Sequence, residues 1–291
     1  MPLHGRHHSA QWLQYESTHV LIDCGEATQH QILRYRLPLH KLRAIFISHL
    51  HADHVAGIGG LLTTLHMQGH QRPLYIFGPS GLRNLIELQL LGTFAALRYP
   101  LYVREVFLRR EKVLLWEDAR IEIWTFPLRH GVPTIGYLFA EKPKPKRLDT
   151  EKFSKLGLPE SLLPILRQKG VVEYNGQEIT WDSVSLPPSP PKSYAYCTDT
   201  MFSQQTADFI SGVTVLYHEA TFLTEHQQRA AQTFHSTARE AALTASASKT
   251  QRLYIGHYST RYRNLLPLLE EARQFFPETY LVEEGQTITF P

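Results

Sequence analysis

Short apolar runs, bounded by turn residues, alternate along the chain with segments of helical periodicity. Residues 43–48 (RAIFIS), 194–197 and 252–255 have the length and the apolar content typical of buried strands. Residues 61–68 and 237–247 carry apolar side chains at helical spacing. This alternation near both ends of the chain predicts a layered α/β architecture. Further strands are predicted at residues 10–15, 19–24, 74–77, 103–108, 113–115, 121–126, 214–217 and 279–282, and further helices at residues 81–91, 201–210 and 265–276.

The segment from residue 141 to residue 193 interrupts this pattern. It begins with KPKPKR and ends with LPPSPPK, and prolines at this density exclude regular structure at both ends. Residues 141–170 contain eight Lys/Arg and four Asp/Glu, so this half of the segment is locally basic. We predict a short helix at 151–156 and a small strand pair near 171–179. The segment is therefore interpreted as a flexible inserted arm within a single domain of residues 1–291; the alternative is a solvated linker with ordinary surface charge.

Bulk composition narrows the class of protein. The chain is 43% hydrophobic with a net charge of +3, which is an ordinary globular composition that permits a polyanionic partner without requiring one. No stretch approaches the roughly 20 apolar residues that cross a bilayer, and the first ten residues lack the apolar core of a signal peptide. A cytoplasmic protein without a membrane partner is expected. Cys24 and Cys197 are too few for a disulfide framework or a cysteine zinc knuckle, and we expect both to be buried.

The strongest chemical signal is the run SHLHADH at residues 48–54, at the end of a predicted strand. Imidazole and carboxylate groups bind Zn²⁺ without any sulfur ligand. Because alternate residues of an extended chain face the same way, His49 and His51 can approach one metal ion. The turn that follows can bring Asp53 and His54 to an adjacent point, and paired metals in such sites lie roughly 3.5–4 Å apart. The run therefore predicts a dinuclear metal site.

Four side chains cannot saturate two metal ions and leave room for water, so further ligands are expected later in the chain. His130, Asp199 and His257 each lie shortly after a predicted strand. Strand ends gather at one edge of a sheet, where binding sites commonly form. Each of the three would alone be better explained as a core or surface residue, but with the 48–54 run they form a consistent set.

This pattern of residues resembles the sequence motifs of the metallo-β-lactamase superfamily and, within it, those of the ribonuclease Z family of tRNA 3′-processing endonucleases. Many members of the superfamily share the HxHxDH run. Residues 218–221 (HEAT), 235–237 (HST) and 256–262 (GH through RY) are more specific to ribonuclease Z, and the DCGE and TQ pattern at 23–29 is also part of the resemblance. The resemblance extends from residue 6 to residue 285, which is nearly the whole chain.

The resemblance implies the αββα four-layer metallo-β-lactamase fold and two zinc ions per subunit. It assigns seven side chains to the metals: His49, His51 and His130 to one ion, Asp53, His54 and His257 to the second, and Asp199 to both.

The resemblance also implies roles in catalysis. Asp53 would orient the attacking water and accept its proton, and His235 would protonate the departing 3′-oxygen. Glu219 would orient or charge His235. The residues themselves leave simpler explanations open: His235 could lie in the N-terminal cap of the helix at 237–247, and Glu219 could be a structural carboxylate bonded to backbone.

Precursor tRNA is the implied substrate, bound by a homodimer in which the arm of one subunit holds the tRNA that the other cleaves. The family's tRNA-binding exosite arm takes the position of residues 141–193, so Lys144, Lys146 and Arg147 are expected to bind substrate, as is Arg6. The family's first strand and Gly-rich turn would precede Pro2 and are not in this sequence, so we expect that strand of the sheet to be missing. His4 and His7 replace the Lys and Asn of the family's first loop, which weakens the expectation that a mature CCA end is rejected.

Two other functions remain open from the sequence. A small-molecule phosphodiesterase or lactonase of the same fold would keep all seven ligands without needing a basic arm. A non-catalytic tRNA-binding protein would use the arm but show no turnover. The intact set of ligands argues against the second.

Overall fold

The computed structural model describes residues 6–92, 96–107 and 110–290. Within these residues the chain forms two compact units. The first unit lies within residues 1–116, 123–139 and 193–291, and the second comprises residues 117–122 and 140–192. No helix among the described residues has the length and apolar content needed to cross a membrane.

A five-stranded sheet occupies the N-terminal part of the first unit. Its strands follow one another in chain order: β1 (Gln11–Tyr15), β2 (Thr18–Ile22), β3 (Leu42–Phe46), β4 (Leu74–Pro79) and β5 (Leu101–Val106). The first pair is antiparallel and the other pairs are parallel. Its helices are α1 (Thr28–Arg34), the short α2 (Ala52–Val55), α3 (Ile58–Met67) and α4 (Leu82–Gly92), and a 3₁₀ turn spans Leu39–Lys41. Ile45 and Ile76 of the sheet share one core with Leu61 of α3.

A seven-stranded sheet forms the rest of the first unit's framework. Its order is β16 (Thr279–Leu281), β15 (Arg252–Gly256), β14 (Val215–Glu219), β13 (Ser193–Cys197), β8 (Thr134–Glu141), β7 (Ile121–Leu128) and β6 (Val113–Glu117). Strands β13 to β16 are parallel, and every residue of β14 is buried. Parallel strands covered on both faces need such continuous apolar runs. Helices α7 (Gln204–Phe209), α8 (Gln227–Thr233), α9 (Ala238–Ala247) and α10 (Leu266–Arg273) follow these strands, and a 3₁₀ turn spans Thr224–His226.

The two sheets of the first unit face each other through aromatic side chains. The ring of Phe46 lies 5.3 Å from that of Tyr137 and 5.4 Å from that of Phe139. The Tyr137 hydroxyl donates to the carbonyl of Ile47 at 2.6 Å. Separate apolar cores form between each sheet and its own helices. The predicted helix–sheet–sheet–helix layering is therefore confirmed.

Strand β8 was not among the predicted strands, because Gly136 interrupts its apolar run and glycine weakens a strand. The structure explains this glycine. A Cβ atom at Gly136 would lie 2.3 Å from the Phe126 ring, so only glycine fits. The cysteine prediction is confirmed, since Cys24 and Cys197 are both buried and unpaired.

The second unit contains the segment that was predicted as an arm. It has two small strand pairs, β9 (Arg147–Leu148) with β12 (Ser185–Leu186) and β10 (Val171–Tyr174) with β11 (Gln177–Thr180), the helices α5 (Thr150–Lys155) and α6 (Leu163–Lys169), and 3₁₀ turns at Glu160–Leu162 and Trp181–Val184. Asn175 and Gly176 join β10 to β11, both at positive φ, as a tight hairpin requires. The unit has its own apolar core, made of Phe153, Leu158, Leu166, Ile179 and Val184.

Candidate metal centre

The histidine-rich loop begins two residues after β3 ends and runs into α2. His49 and His54 are fully buried, while the Asp53 side chain is 36% exposed. Gly57, just beyond α2, packs against the loop that follows β2; a Cβ atom there would lie 2.1 Å from the carbonyl oxygen of Gly25. This close approach fixes the loop against the end of the sheet. Strand β3 thus delivers a contiguous set of imidazoles and one carboxylate to the sheet edge.

All seven side chains predicted as metal ligands lie together. His49, His51, His130 and Asp199 form one group, in which candidate ligand atoms lie within 4.8 Å of one another. Asp53, His54 and His257 form a second group on the same criterion. The three later residues follow β7, β13 and β15, so the ends of three strands of the second sheet meet the loop from the first.

The Asp199 carboxylate stands between the two groups. Its Oδ2 lies 3.5 Å from His49 Nε2 and 3.9 Å from His130 Nε2. Its Oδ1 lies 3.4 Å from His54 Nε2 and 3.3 Å from His257 Nε2. One oxygen therefore faces each group, which is the arrangement that a bridging carboxylate needs.

Four of the imidazoles are held by hydrogen bonds to Nδ1, which leaves Nε2 directed at the centre. The partners of Nδ1 are Ser48 Oγ for His49 (3.0 Å), Asp23 Oδ2 for His54 (2.7 Å), the Phe234 carbonyl for His130 (3.0 Å) and Thr221 Oγ1 for His257 (3.0 Å). Such partners fix the tautomer and the orientation of a metal-binding imidazole. His51 differs, because its Nδ1 lies 3.0 Å from His49 Nε2.

The residues fit a divalent metal. Nε2 of His54 and Nε2 of His130 are buried and have no hydrogen-bond partner among the described residues. A buried nitrogen without a partner is costly unless something else binds it. The donors are imidazole nitrogens and carboxylate oxygens, a set that suits Zn²⁺ and related ions.

The electrostatics keep His49, Asp53 and Asp199 in their metal-binding forms. Burial disfavours the charged forms of His54 and His257, but the Asp199 carboxylate outweighs this effect and raises the pKa of both rings. Burial, with added repulsion from neighbouring imidazoles, lowers the pKa of His49 to about 3, so this ring is neutral. A hydrogen bond from His257 lowers the pKa of Asp53 despite its partial burial. Burial opposes ionisation of Asp199, but the surrounding imidazoles outweigh it and hold its pKa well below the usual range.

Three residues at this edge have left-handed backbone conformations. The φ angles of Asp23, Asp199 and His257 are 57°, 43° and 55°. Asp23 and His257 each directly follow the last residue of a strand, and Asp199 is the second residue after one. Non-glycine residues adopt this region rarely, and it is often found at functional sites. The sharp turn directs each side chain across the edge of the sheet toward the centre.

His235 and Glu219 form a pair beside the two groups. Glu219, the last residue of β14, is fully buried and accepts from His235 Nδ1 at 2.7 Å. The His235 ring lies 5.1 Å from that of His130 and 5.5 Å from that of His257. Burial disfavours the charged ring, but the Glu219 carboxylate outweighs this effect and raises the pKa of His235.

The simpler explanations for this pair are only partly met. Thr237, not His235, caps α9: its hydroxyl accepts from the backbone N–H of Glu240, and the Glu240 side chain accepts from the backbone N–H of Thr237. Glu219 does accept from the backbone N–H groups of Thr200 and Thr221, as a structural carboxylate would. It holds His235 in addition to those bonds.

Sequence reasoning gave no role to Asp23, which is fully buried. Its carboxylate accepts from the Ser48 backbone N–H at 2.7 Å, the Ser48 hydroxyl at 2.9 Å, the Tyr196 hydroxyl at 2.7 Å and His54 Nδ1 at 2.7 Å. The available signal was an acidic residue near the end of the strand predicted at residues 19–24, a position comparable to that of Asp199 after the strand at 194–197.

The residues predicted to bind substrate belong to both units. Arg6 is half-buried and donates to the Tyr262 carbonyl at 2.8 Å, while residues 1–5 of the same loop, including His4, lie outside the described residues. Lys144 and Lys146 are paired within the second unit with Glu141 at 3.3 Å and Asp182 at 2.7 Å. Arg147 is exposed on β9.

The chain is similar along nearly its whole length to curated ribonuclease Z sequences. That of Cytophaga hutchinsonii is 40% identical over 98% of this chain and 91% of the relative. That of Parabacteroides distasonis is 40% identical over 92% and 88%, and that of Porphyromonas gingivalis 36% identical over 99% and 95%. A family profile described as anti-Pycsar protein Apyc1 matches residues 4–143.

Solved structures share the fold at lower identity. Human tRNase Z, short form, covers 100% of this chain and 95% of its own, with a TM-score of 0.73 and 24% identity. The metallo-β-lactamase fold protein YhfI from Bacillus subtilis covers 98% and 93%, with a TM-score of 0.68 and 18% identity. These likenesses establish the metallo-β-lactamase fold.

Proposed function

The chain belongs to the ribonuclease Z family and is a phosphodiester-cleaving hydrolase, and we propose that it is a zinc-dependent endoribonuclease that removes the 3′ trailer from precursor tRNA. The observation that carries the proposal is one shared edge of the fold. Two His/Asp groups meet there at Asp199, and the His235–Glu219 pair lies beside them. Metal ligation and proton donation are therefore available at neighbouring points.

We propose two zinc ions, one held by His49, His51 and His130 and the other by Asp53, His54 and His257, with Asp199 shared. When bound, such ions acidify water and withdraw charge from phosphate oxygens. The absence of sulfur ligands leaves manganese or iron as alternatives. Metal analysis by mass spectrometry of the purified protein distinguishes them and gives the number per chain.

The chain's own residues supply the proton transfers. Asp53 is ionised and partly exposed, so its carboxylate can orient a water molecule and receive its proton. The water oxygen bonds to phosphorus as the bond from phosphorus to the 3′-oxygen breaks. His235, held protonated by Glu219 through Nδ1, gives the proton on Nε2 to the departing oxygen. The products are a 3′-hydroxyl on tRNA and a 5′-phosphate on the trailer.

We propose that Lys144, Lys146 and Arg147 of the second unit contact the tRNA backbone, together with Arg6 of the first. Each of these lysines has an acidic neighbour in its own unit, so part of its charge is already compensated. Exposed ion pairs are weak, and a phosphate can displace the carboxylate at little cost. Binding through these residues should therefore weaken with rising salt.

We propose a homodimer in the cytoplasm. Leu88 and Leu91, one turn apart on α4, are each 71% exposed, and Met67 at the end of α3 is 72% exposed. Helices α3 and α4 contact each other, and exposed apolar side chains such as these are what subunit interfaces cover. Light scattering of the purified protein gives the mass in solution.

One experiment tests the proposal against its alternative. The protein is incubated with a 3′-extended precursor tRNA and, separately, with bis(p-nitrophenyl) phosphate, and the RNA cut is mapped. The proposal requires one cut at the 3′ end of the tRNA body, lost together with bound metal in His49→Ala. The Lys144→Ala/Lys146→Ala/Arg147→Ala variant should lose activity on tRNA alone. Equal effects on both substrates would favour a small-molecule phosphodiesterase.

A further inference from the structure

Phe234 is a large aromatic residue with no role in the chemistry above. It lies between α8 and α9, directly before His235, and the residue is 44% exposed. An exposed phenylalanine beside a polar centre loses the stabilisation that burial gives to an apolar ring. Single exposed apolar residues are ordinary on protein surfaces, so what distinguishes Phe234 is its position directly before His235.

The backbone at Phe234 serves the centre, but it does not need a phenyl ring. The residue has φ 58° and ψ 43°, the left-handed conformation that usually ends a helix with glycine. This turn directs the Phe234 carbonyl to His130 Nδ1 at 3.0 Å and returns the chain so that His235 reaches Glu219. Glycine would provide the same turn without steric strain, and asparagine with little.

The ring itself lies against the loop that carries a candidate ligand. A Cβ atom built on Gly131 would be 3.5 Å from Cδ2 and 3.9 Å from Cε2 of Phe234, which is ordinary contact. Gly131 follows His130, and His130 lies 5.1 Å, ring to ring, from His235. The phenyl therefore packs on one side against the backbone beside the centre and remains exposed elsewhere.

We propose that Phe234 stacks on the nucleobase of the nucleotide whose 3′-oxygen departs. The inference rests on the proposed function. It follows from adjacency, because His235 is the group that would protonate that oxygen and Phe234 is the next residue. Base–aromatic stacking tolerates any base, since every base presents a π-face. A phenyl ring here would hold the reacting nucleotide without restricting its identity. Phe234 is thus a positioning residue for the substrate rather than a catalytic one.

The test is a cycle of two protein variants and two RNAs. Phe234→Asn keeps a residue that tolerates the left-handed turn and removes the ring, whereas Phe234→Tyr keeps the ring. The precursor tRNA carries either its normal base or an abasic nucleotide immediately 5′ of the cut. We expect Phe234→Asn to lower kcat/KM on normal RNA roughly tenfold, within the range seen when a stacking aromatic is removed. Phe234→Tyr should stay within about twofold of the parent.

The abasic RNA separates stacking from a structural effect. The parent protein should lose about the same factor on abasic RNA as Phe234→Asn loses on normal RNA, and the variant should lose nothing more there. Bound metal should be unchanged in both variants. Phe275→Asn is the matched control, because Phe275 is another exposed phenylalanine, with Arg239 over its ring, and should behave like the parent.

Three results would overturn the inference. The first is parent-like cleavage of normal RNA by Phe234→Asn, and the second is a rate for Phe234→Asn that is lower than the parent's by the same factor on abasic RNA as on normal RNA. The third is a loss of bound metal that accounts for the loss of rate. The parent's own activity on normal RNA is a separate readout. If the parent does not cut precursor tRNA, the proposed function fails; if it cuts and the variant series shows no dependence on the base, only the stacking fails.

Discussion

At the edge of each sheet of the first unit a buried carboxylate holds an imidazole by a hydrogen bond, and we call each such pair a clamp. The two clamps differ in what surrounds the ring. Asp23, beyond β2, holds His54, and neither side chain is exposed. Glu219, at the end of β14, holds His235, whose side chain is 15% exposed. Both imidazoles bind the carboxylate through Nδ1 at 2.7 Å. The geometry of the clamp is therefore the same in both halves.

We propose that access to the second ring nitrogen decides the role of each ring. Nε2 of His54 is buried among the acidic and imidazole groups of the centre and suits a fixed ligand. The ring of His235 reaches the surface, so a proton taken from solvent can be passed to substrate. Each carboxylate favours the charged form of the ring it binds, and the pKa of both rings is raised despite burial. The exposure of the ring therefore separates the two pairs, and its charge does not. Four predictions compare the two sides of the centre, and the first concerns Asp199, whose oxygens face both groups of candidate ligands.

Replacing Asp199 should have the largest effect, because its two oxygens face both groups. Asp199→Ala is expected to lose most of the bound metal and to reduce cleavage to background, since each of the two groups of candidate ligands loses a carboxylate oxygen. Metal content and initial rate on precursor tRNA measure this. Full retention of two metals with normal rate would remove Asp199 from the bridge.

Replacing His235 should reduce the rate without removing metal. His235→Ala is expected to lower kcat by roughly 10²–10⁴-fold, the usual contribution of a general acid. Single-turnover rates alongside metal analysis separate the two effects. A loss of metal equal to that in Asp199→Ala would instead make His235 a ligand, and an unchanged rate would exclude it as the acid.

The pH dependence of Glu219→Gln tests whether Glu219 keeps His235 protonated. Glu219 raises the pKa of His235 against the effect of burial, so the ring stays protonated and active to higher pH. Removing that charge lowers the pKa, and the alkaline limb of the profile of kcat against pH should move to lower pH. Asp23→Asn is the matched change in the other clamp. It should leave the alkaline limb in place and weaken metal binding roughly 10–100-fold, as measured by competition with a chelator.

The two cysteines should show the smallest effect, although one lies in each half beside the centre. Burial raises the pKa of Cys24 to about 12, and burial raises the pKa of Cys197 as well. The reactive thiolate is therefore scarce near neutral pH in both. We expect negligible reaction with a disulfide reagent in the native protein and two equivalents after unfolding. Fast labelling of one thiol in the native protein would show that the structure around that cysteine opens locally.

The contiguous part of the centre was predictable from sequence, because His49 to His54 lie within one short run. His130, Asp199 and His257 were predictable in a weaker sense, since each follows an apolar strand. Their assignment to one metal ion or the other came from the family resemblance, because contacts between distant strands have no local signature. The same resemblance gave the roles proposed for His235 and Glu219, which the pattern of residues alone left open.

Other features could not be found locally. Asp23 accepts four hydrogen bonds, one of them from Tyr196 on the opposite sheet, and no spacing in the sequence encodes that contact. Phe234 takes a left-handed turn that sequence rules assign to glycine. Helix α8 was not predicted because its residues, QQRAAQT, are short of apolar side chains at helical spacing. In each case tertiary contacts outweigh the local preference.

The order in which the donors occur along the chain has a consequence for biosynthesis. The loop that follows β3 is synthesised well before His257, which follows β15. Chains acquire structure from the N-terminus during translation. A nascent chain can therefore expose the four candidate ligands of residues 49–54 before Asp199 and His257 exist, and hydrolysis that needs the complete set cannot begin until β15 has been made.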